Sequence, residues 1–299
     1  MLNIFWPYAT RNSVSDQLWF LRKLCYENDI PVTVSHQLDP ISHNIAIENL
    51  NEESAGYIER FCSRYEQCIS VLVTEFLSPG GGAGELYVNG ELLHRDREYN
   101  PELRSRFENL RRISKFIYSF ISLGGQPDPK SYCDIYGVRR AIDFEIPNIG
   151  VSLQPVQPKE FDLYFSGSLT RYRKQVLCDL EQAGLCLLVE GRFVSENNRK
   201  SQLRRCSFNL NIPQSPSWRW LSTMRVLFGL RQGVLAAQPT NKPDFPLSDF
   251  VLAFSDRRSL WESFERDGDA LGKRLQGQLL LGDKKGNFKS FVEEVNERW

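Results

Sequence analysis

The chain predicts an α/β protein made of two Rossmann-like halves that face each other across a cleft. Three observations lead there. Short β-branched or apolar runs alternate with helical stretches through both halves of the 299 residues, the signature of strand–helix–strand units around parallel sheets. One run, residues 70–76, carries Val71-Leu-Val73 before it turns polar at Thr74 and Glu75, which suits a strand covered on both faces. The pattern breaks once, at residues 146–158, a stretch rich in proline and polar residues with no helical period. That stretch reads as a linker. The expected division is residues 1–155 and 156–299.

The first half opens with an apolar run at residues 2–6 and a helix at 13–27, with Ser13 or Ser15 as its cap. Strands follow at 30–34, 43–50 and 70–76, and Asn51 caps a helix over 52–65. Glu48 and Glu75 sit at strand ends, where ligands of such sheets bind. Either could act as a general base on a substrate hydroxyl, or could be a cap or a solvated loop charge. Ser78-Pro-Gly-Gly-Gly-Ala-Gly84 is glycine-rich but lacks the Gly-Lys-Ser/Thr of a phosphate loop. It reads as a surface loop at the cleft mouth, with an acceptor-binding loop as the alternative. Residues 85–94 form a hairpin about Asn89-Gly90. A single helix is expected over 101–120, its basic residues on a solvated face or against an anionic membrane surface. A strand is expected at 131–137.

The second half has strands at 161–165, 185–189, 207–213, 233–237 and 250–254. Helices are expected at 170–183, ended by Gly184, and at 195–205 and 217–231. Two more, at 259–281 and 288–299, close the chain. The last of these is expected to cross back to the first half, with Trp299 as an anchor. At Tyr164-Phe-Ser-Gly-Ser-Leu-Thr-Arg171 a strand passes through a glycine turn into a helix capped by Thr170. Free N–H groups and the helix dipole make that a place for an anion.

Composition narrows the function. Thirty-seven Lys and Arg balance 37 Asp and Glu, so a general nucleic-acid binder, which carries a basic excess, is disfavoured. No run of about 18 apolar residues appears, and the first residues lack the pattern of a signal peptide. The seven cysteines form no CxxC pair and there are three histidines. Reduced, mostly buried thiols, no metal centre and a cytoplasmic protein are expected. Gly-x-Gly-x-x-Gly and Gly-x-Ser-x-Gly are both missing, which disfavours a dinucleotide oxidoreductase and an α/β-hydrolase.

Three pieces of the second half resemble a known family. They are Asp162-Leu-Tyr-Phe-Ser-Gly-Ser168 with Arg171 or Arg173, then Leu210-Asn-Ile212, then the block from Met224 to Ala237 that begins Met-Arg-Val-Leu-Phe-Gly. Over about 80 residues these pieces are similar to glycosyltransferases of the GT-B fold, in particular CgeB-like and group 1 domains. The resemblance implies metal-independent sugar transfer from a nucleotide-sugar donor, which is a substrate, with no cofactor. The acceptor would be a saccharide, lipid-linked or small-molecule hydroxyl. By position, Gly167, Ser168, Thr170, Arg171, Arg173 and Arg225 would hold the diphosphate, and Asn211 and Ser217 would face the base or sugar. Trp218, in Trp218-Arg-Trp220, could stack on the base or sugar ring or pack at the cleft edge. The first half would bind the acceptor, with Glu75 before Glu48 as base if the reaction inverts. One position departs from the family: Phe228 stands where a glutamate usually holds the donor ribose. That departure leaves open a catalytically silent GT-B-like protein that binds a glycan or partner.

Overall fold

The computed structural model describes the chain except residues 8–13, 74–84, 89–90, 96–100, 124–128, 148, 150–158, 192–193, 215, 217–221, 240–249, 281–285 and 299. Two compact units emerge, Met1–Pro147 with Lys284–Trp299, and Asn148–Asp283. Each is an α/β unit around its own parallel sheet.

In the first unit, β1 (Leu2–Phe5) leads to α1 (Ser15–Glu27), β2 (Val32–Ser35), β3 (His43–Ile47), α2 (Glu52–Tyr65) and β4 (Ile69–Leu72). An antiparallel pair follows, β5 (Glu85–Val88) with β6 (Glu91–Arg95). Then come α3 (Pro101–Ile113), β7 (Ile117–Leu123), α4 (Pro129–Tyr136) and β8 (Ala141–Phe144). The sheet order is β2-β1-β3-β4-β7-β8, parallel throughout. Residues of β1, β3 and β4 are buried at every position, while edge strand β2 is half-exposed or exposed. Strands covered on both faces must be largely apolar, and the polar residues they do carry pair with one another. Asn3 Nδ2 donates to Asn44 Oδ1 at 2.8 Å, and His43 Nε2 meets the Ser70 hydroxyl at 2.8 Å.

Three local expectations change. The helix expected over 101–120 stops at Ile113, makes one 3₁₀ turn, and becomes β7. Ile117, Phe120 and Ile121 fit a helical stripe as well as a strand, and pairing with β4 and β8 decides between them. The strand expected at 131–137 is α4. Pro129 suits a first helical position, and Tyr132 and Tyr136, one turn apart, stack at 5.9 Å. Ser15 is the first residue of α1 rather than its cap; the cap position is Val14, with no side-chain cap bond. Ser13 lies outside the described residues, as do the 78–84 loop, the Asn89-Gly90 turn and Trp299. Asn51, Thr170 and Ser195 do cap, each side-chain oxygen accepting from the backbone N–H three residues on.

The second unit runs β9 (Phe161–Ser166), α5 (Arg171–Gln182), β10 (Leu187–Glu190), α6 (Glu196–Leu203), β11 (Cys206–Leu210), α7 (Thr223–Arg231), β12 (Ala236–Pro239), β13 (Val251–Phe254) and α8 (Arg257–Leu280). Its sheet order is β10-β9-β11-β12-β13, again all parallel. In both sheets the unit's first strand lies between its second and third. That arrangement opens a crevice outside the carboxyl ends of the first and third strands.

The final helix, α9 (Gly286–Arg298), belongs to the first unit. Phe288 and Phe291 pack on Phe144 at 4.9 and 5.4 Å, and Phe291 meets the His43 ring edge-on at 5.5 Å. Glu294 accepts from the Tyr118 hydroxyl and from Arg140. Among the described residues no helix is long and apolar enough to cross a membrane. Among the same residues no cluster of three or more His, Cys, Asp or Glu is placed to hold a metal ion. All seven cysteines are free thiols. Cys25, Cys62 and Cys206 are buried, and burial pushes each thiol up to about 12. Cys178 and Cys186 are exposed, so the expectation of mostly buried thiols holds for only part of the set.

Candidate functional site

The carboxyl edge of β9 and β11 gathers most of the residues singled out in the second half. Strand β9 ends at Ser166, and Gly167 follows at φ +140°, a conformation that L side chains rarely adopt. Space is a second constraint there, because a Cβ on Gly167 would stand 3.0 Å from Arg225 Nη2. Glycine therefore serves both the turn and the approach of the guanidinium.

Thr170 starts α5. Its Oγ1 accepts from Arg173 N at 3.2 Å and donates to the Gln214 carbonyl at 2.8 Å. One turn into the helix, Arg173 is only 4 % exposed. Its guanidinium donates to the carbonyls of Ser168 (2.9 Å), Ile212 (2.9 and 3.1 Å) and Pro213 (3.2 Å). Arg173 thus braces the loop after β9 against the loop after β11, which is a structural role. Arg171, the first residue of α5, is exposed. Ser168 is exposed as well.

Arg225 reaches the same edge from α7 and is half-buried. Nη1 donates to Asn211 Oδ1 at 3.2 Å and to the Ile212 carbonyl at 3.4 Å, and Nη2 donates to the Ser166 carbonyl at 3.3 Å. Its guanidinium lies 5.1 Å from the Phe165 ring centroid, and that of Arg173 lies 5.4 Å from the same ring. Asn211 is held in turn. Its N–H donates to the Ala237 carbonyl at 2.8 Å and its Nδ2 to Gln238 Oε1 at 2.7 Å. The acceptors named for Arg225 are neutral oxygens that orient the guanidinium.

Two further residues position α7, and neither stood out in the sequence. Asn209 Nδ2 donates to the Arg225 carbonyl at 2.7 Å. Gly229 allows that close approach, since a Cβ there would come within 2.8 Å of Asn209 Nδ2. A polar residue inside a strand followed by a glycine inside the next helix was the available signal. Phe228 does not line the edge. It is 1 % exposed, packs with Tyr164, Leu203, Cys206 and Val234, and lies under the Arg199 guanidinium at 4.2 Å. A ribose held at position 228 is incompatible with that packing.

Glu190, at the end of β10, completes the surroundings. Asn198 Nδ2 donates to its Oε1 at 2.9 Å and the Tyr164 hydroxyl donates to its Oε2. Burial, and then the hydrogen bond to Glu190, raise the Tyr164 phenol well above its ordinary value.

The proposed bases fare differently. Glu48 is 0 % exposed and its Oε1 accepts from Arg106 Nη2 at 2.7 Å. A carboxylate sealed from solvent and paired in this way is not placed to receive a substrate proton, so the expectation for Glu48 is corrected to a structural ion pair. Glu75, Ser217 and Trp218 lie outside the described residues.

What the second unit's edge can do is hold an anion. A glycine turn, the start of a helix and an oriented guanidinium meet at a switch point of a parallel sheet. No family model matches the chain, and no curated protein matches it. One similar solved structure is described as a two-component system response regulator/GGDEF domain protein. It is 9 % identical, with 90 % of this chain and 98 % of that chain covered at a TM-score of 0.24. A score that low shows neither a shared fold nor a shared role.

Proposed function

We propose that the chain is a glycosyltransferase of the GT-B type, with the diphosphate of a nucleotide-sugar donor at the carboxyl edge of β9 and β11. The observation that carries this reading is the 3.0 Å approach of Arg225 Nη2 to the place where Gly167 lacks a Cβ. A side chain there would crowd the guanidinium and force it to shift. As the glycosidic bond breaks, the leaving diphosphate gains negative charge. A guanidinium already oriented by Asn211, Ile212 and Ser166 stabilises that charge more in the transition state than in the ground state. Arg173 keeps the two loops in register for it, and Arg171 and Ser168 are exposed beside it. The acceptor hydroxyl belongs to a saccharide, a lipid-linked sugar or a small molecule. With Glu48 sealed in its ion pair, Glu75 remains the base for an inverting reaction.

A second reading is a GT-B-like protein that binds a glycan or partner without catalysis. The core position of Phe228 favours it, because the glutamate of the resembled family has no counterpart there.

The test is a panel of nucleotide sugars, scored for slow donor hydrolysis, with thermal stabilisation by UDP, GDP and CMP measured alongside. Hydrolysis of one donor and a raised melting temperature with its nucleotide are expected. Neither stabilisation by any nucleotide nor hydrolysis of any donor would remove the enzyme reading and leave a protein that binds a glycan or partner. Arg225→Ala should weaken nucleotide binding by about tenfold or more, since it removes charge-assisted hydrogen bonds to phosphate. Its unfolding free energy should change by less than about 1 kcal/mol. Equal nucleotide affinity in variant and parent would take Arg225 out of the site.

A further inference from the structure

We infer that Glu190 is the group that reads the ribose of the bound nucleotide, an inference that rests on the donor site proposed above. Its place in the fold is the first reason. Glu190 is the last residue of β10 and the Cα partner of Ser166. Its carbonyl accepts from Gly167 N at 3.1 Å, so its backbone stands at the sheet's carboxyl edge beside the glycine turn, and its carboxylate is held by the Tyr164 hydroxyl and Asn198 Nδ2. In a nucleoside diphosphate the ribose follows directly on the phosphates. A ligand whose diphosphate sits on the Gly167 turn brings its ribose to a neighbouring strand end. In dinucleotide-binding βαβ units an acidic side chain about twenty residues after the glycine turn accepts a ribose hydroxyl.

The second reason is how the carboxylate is held. The Tyr164 hydroxyl fixes Oε2, and Tyr164 is 0 % exposed, so that anchor is part of the core. Asn198 Nδ2, on the first turn of α6, fixes Oε1 at 2.9 Å, and that bond is solvent-exposed. Glu190 itself is half-buried, within reach of solvent. A carboxylate oxygen accepts about two hydrogen bonds. Each oxygen of Glu190 has one named donor, which leaves one acceptor position on each. Two such positions on one immobilised carboxylate match the two hydroxyls of a vicinal diol.

The third reason is charge. A carboxylate beside a phosphate site repels phosphate, so a role for Glu190 toward the diphosphate is excluded. It favours the neutral, donor-rich part of the ligand and disfavours a ribose that carries its own 2′-phosphate. Phe228 then needs no replacement in kind. The ribose contact lies on β10 rather than on α7, and position 228 is free to fill the core.

Binding of the four common ribonucleoside diphosphates, their 2′,3′-dideoxy counterparts and inorganic pyrophosphate, measured calorimetrically, tests this. The proteins are the parent, Glu190→Gln and Asn198→Ala, each first checked for an unchanged melting transition. The parent should bind its preferred ribonucleoside diphosphate about tenfold or more tighter than the dideoxy form. In Glu190→Gln that preference should shrink to about twofold or less while pyrophosphate affinity holds. Asn198→Ala, which frees the carboxylate without removing it, should lose part of the preference. Nucleotide binding with no ribose preference in the parent, or with the full preference kept in Glu190→Gln, would overturn the inference and leave the donor site standing. Absence of binding by every nucleoside diphosphate would overturn the inference and the donor site together.

Discussion

The two units put the same backbone to opposite uses at one position. In each, the residue after the third strand continues the sheet by donating its N–H to the fourth strand. Glu48 N donates to the Leu72 carbonyl at 2.9 Å, and Asn211 N donates to the Ala237 carbonyl at 2.8 Å. Each side chain then meets an arginine from a later helix: Glu48 takes Arg106 of α3, beyond β4, and Asn211 takes Arg225 of α7, the helix directly after its strand. The difference is carboxylate against carboxamide. A carboxylate neutralises the guanidinium, and the pair is buried, Arg106 at 7 % exposure and Glu48 at 0 %. A carboxamide only orients the guanidinium, and Arg225 stays half-buried. The first edge holds a buried ion pair; at the second, Asn211 orients Arg225.

That contrast can be broken from the first unit. Glu48→Ala leaves Arg106 as a buried charge without its carboxylate, and should cost about 3–5 kcal/mol in urea unfolding. Replacing both residues with apolar side chains of similar volume should recover most of the loss. A cost below about 1 kcal/mol for the single change would mean that the pair does not close this edge.

The first unit's sealed polar groups should also make it the pH-sensitive one. Burial lowers His43 from its ordinary value of 6.5 to about 4, with the N-terminal charge adding to the effect. The unfolded chain therefore takes up a proton below about pH 6.5 that the folded chain refuses until about pH 4. Stability is full above 6.5 and falls as pH drops through that window, by about 3 kcal/mol in all. The groups around the ring are the Ser70 hydroxyl, Tyr118 of β7 and Phe291 of α9. His43→Gln should unfold with a correspondingly flatter dependence between pH 7 and pH 4. An equally steep dependence in the variant would assign the effect to other groups.

Asn211→Asp sharpens the comparison from the other side by giving the second edge the first edge's chemistry. A carboxylate against Arg225 should weaken nucleotide binding by about tenfold, read by calorimetry, with folding kept. Tighter or unchanged nucleotide binding would show that Arg225's charge is not what the ligand meets. The smallest effect is expected at Thr170→Ala. Losing the cap of α5 should cost about 1 kcal/mol in thermal unfolding, along with the Thr170 hydroxyl's bond to the Gln214 carbonyl.

Much of the fold was legible because it depends on local pattern. The alternation of strands and helices, the caps at Asn51, Thr170 and Ser195, and the turn at Gly167 all follow from residues within a few positions of one another. Where pattern was ambiguous, distant pairing decided. Residues 117–123 are a strand because β4 and β8 flank them, and nothing within the segment excludes a helix. The site was legible only as a set of residue types. Arg173 and Arg225 look alike in the sequence, yet one is spent on three backbone carbonyls and the other stands at the edge of the turn. Glu48 looked like a strand-end base until Arg106, 58 residues away, was found against it.

By itself the sequence determined two α/β halves, the glycine turn at the start of α5 and the presence of arginines nearby. Periodicity and backbone sterics act over one or two turns, and they are written in neighbouring residues. Tertiary structure decided which strand ends meet, which arginine is buried as a brace, why Phe228 belongs to the core, and which groups hold the Glu190 carboxylate. Those are matters of burial and of hydrogen bonds between residues far apart in the chain. A side chain's charge, and what it can do with it, depends on the partner that folding brings to it.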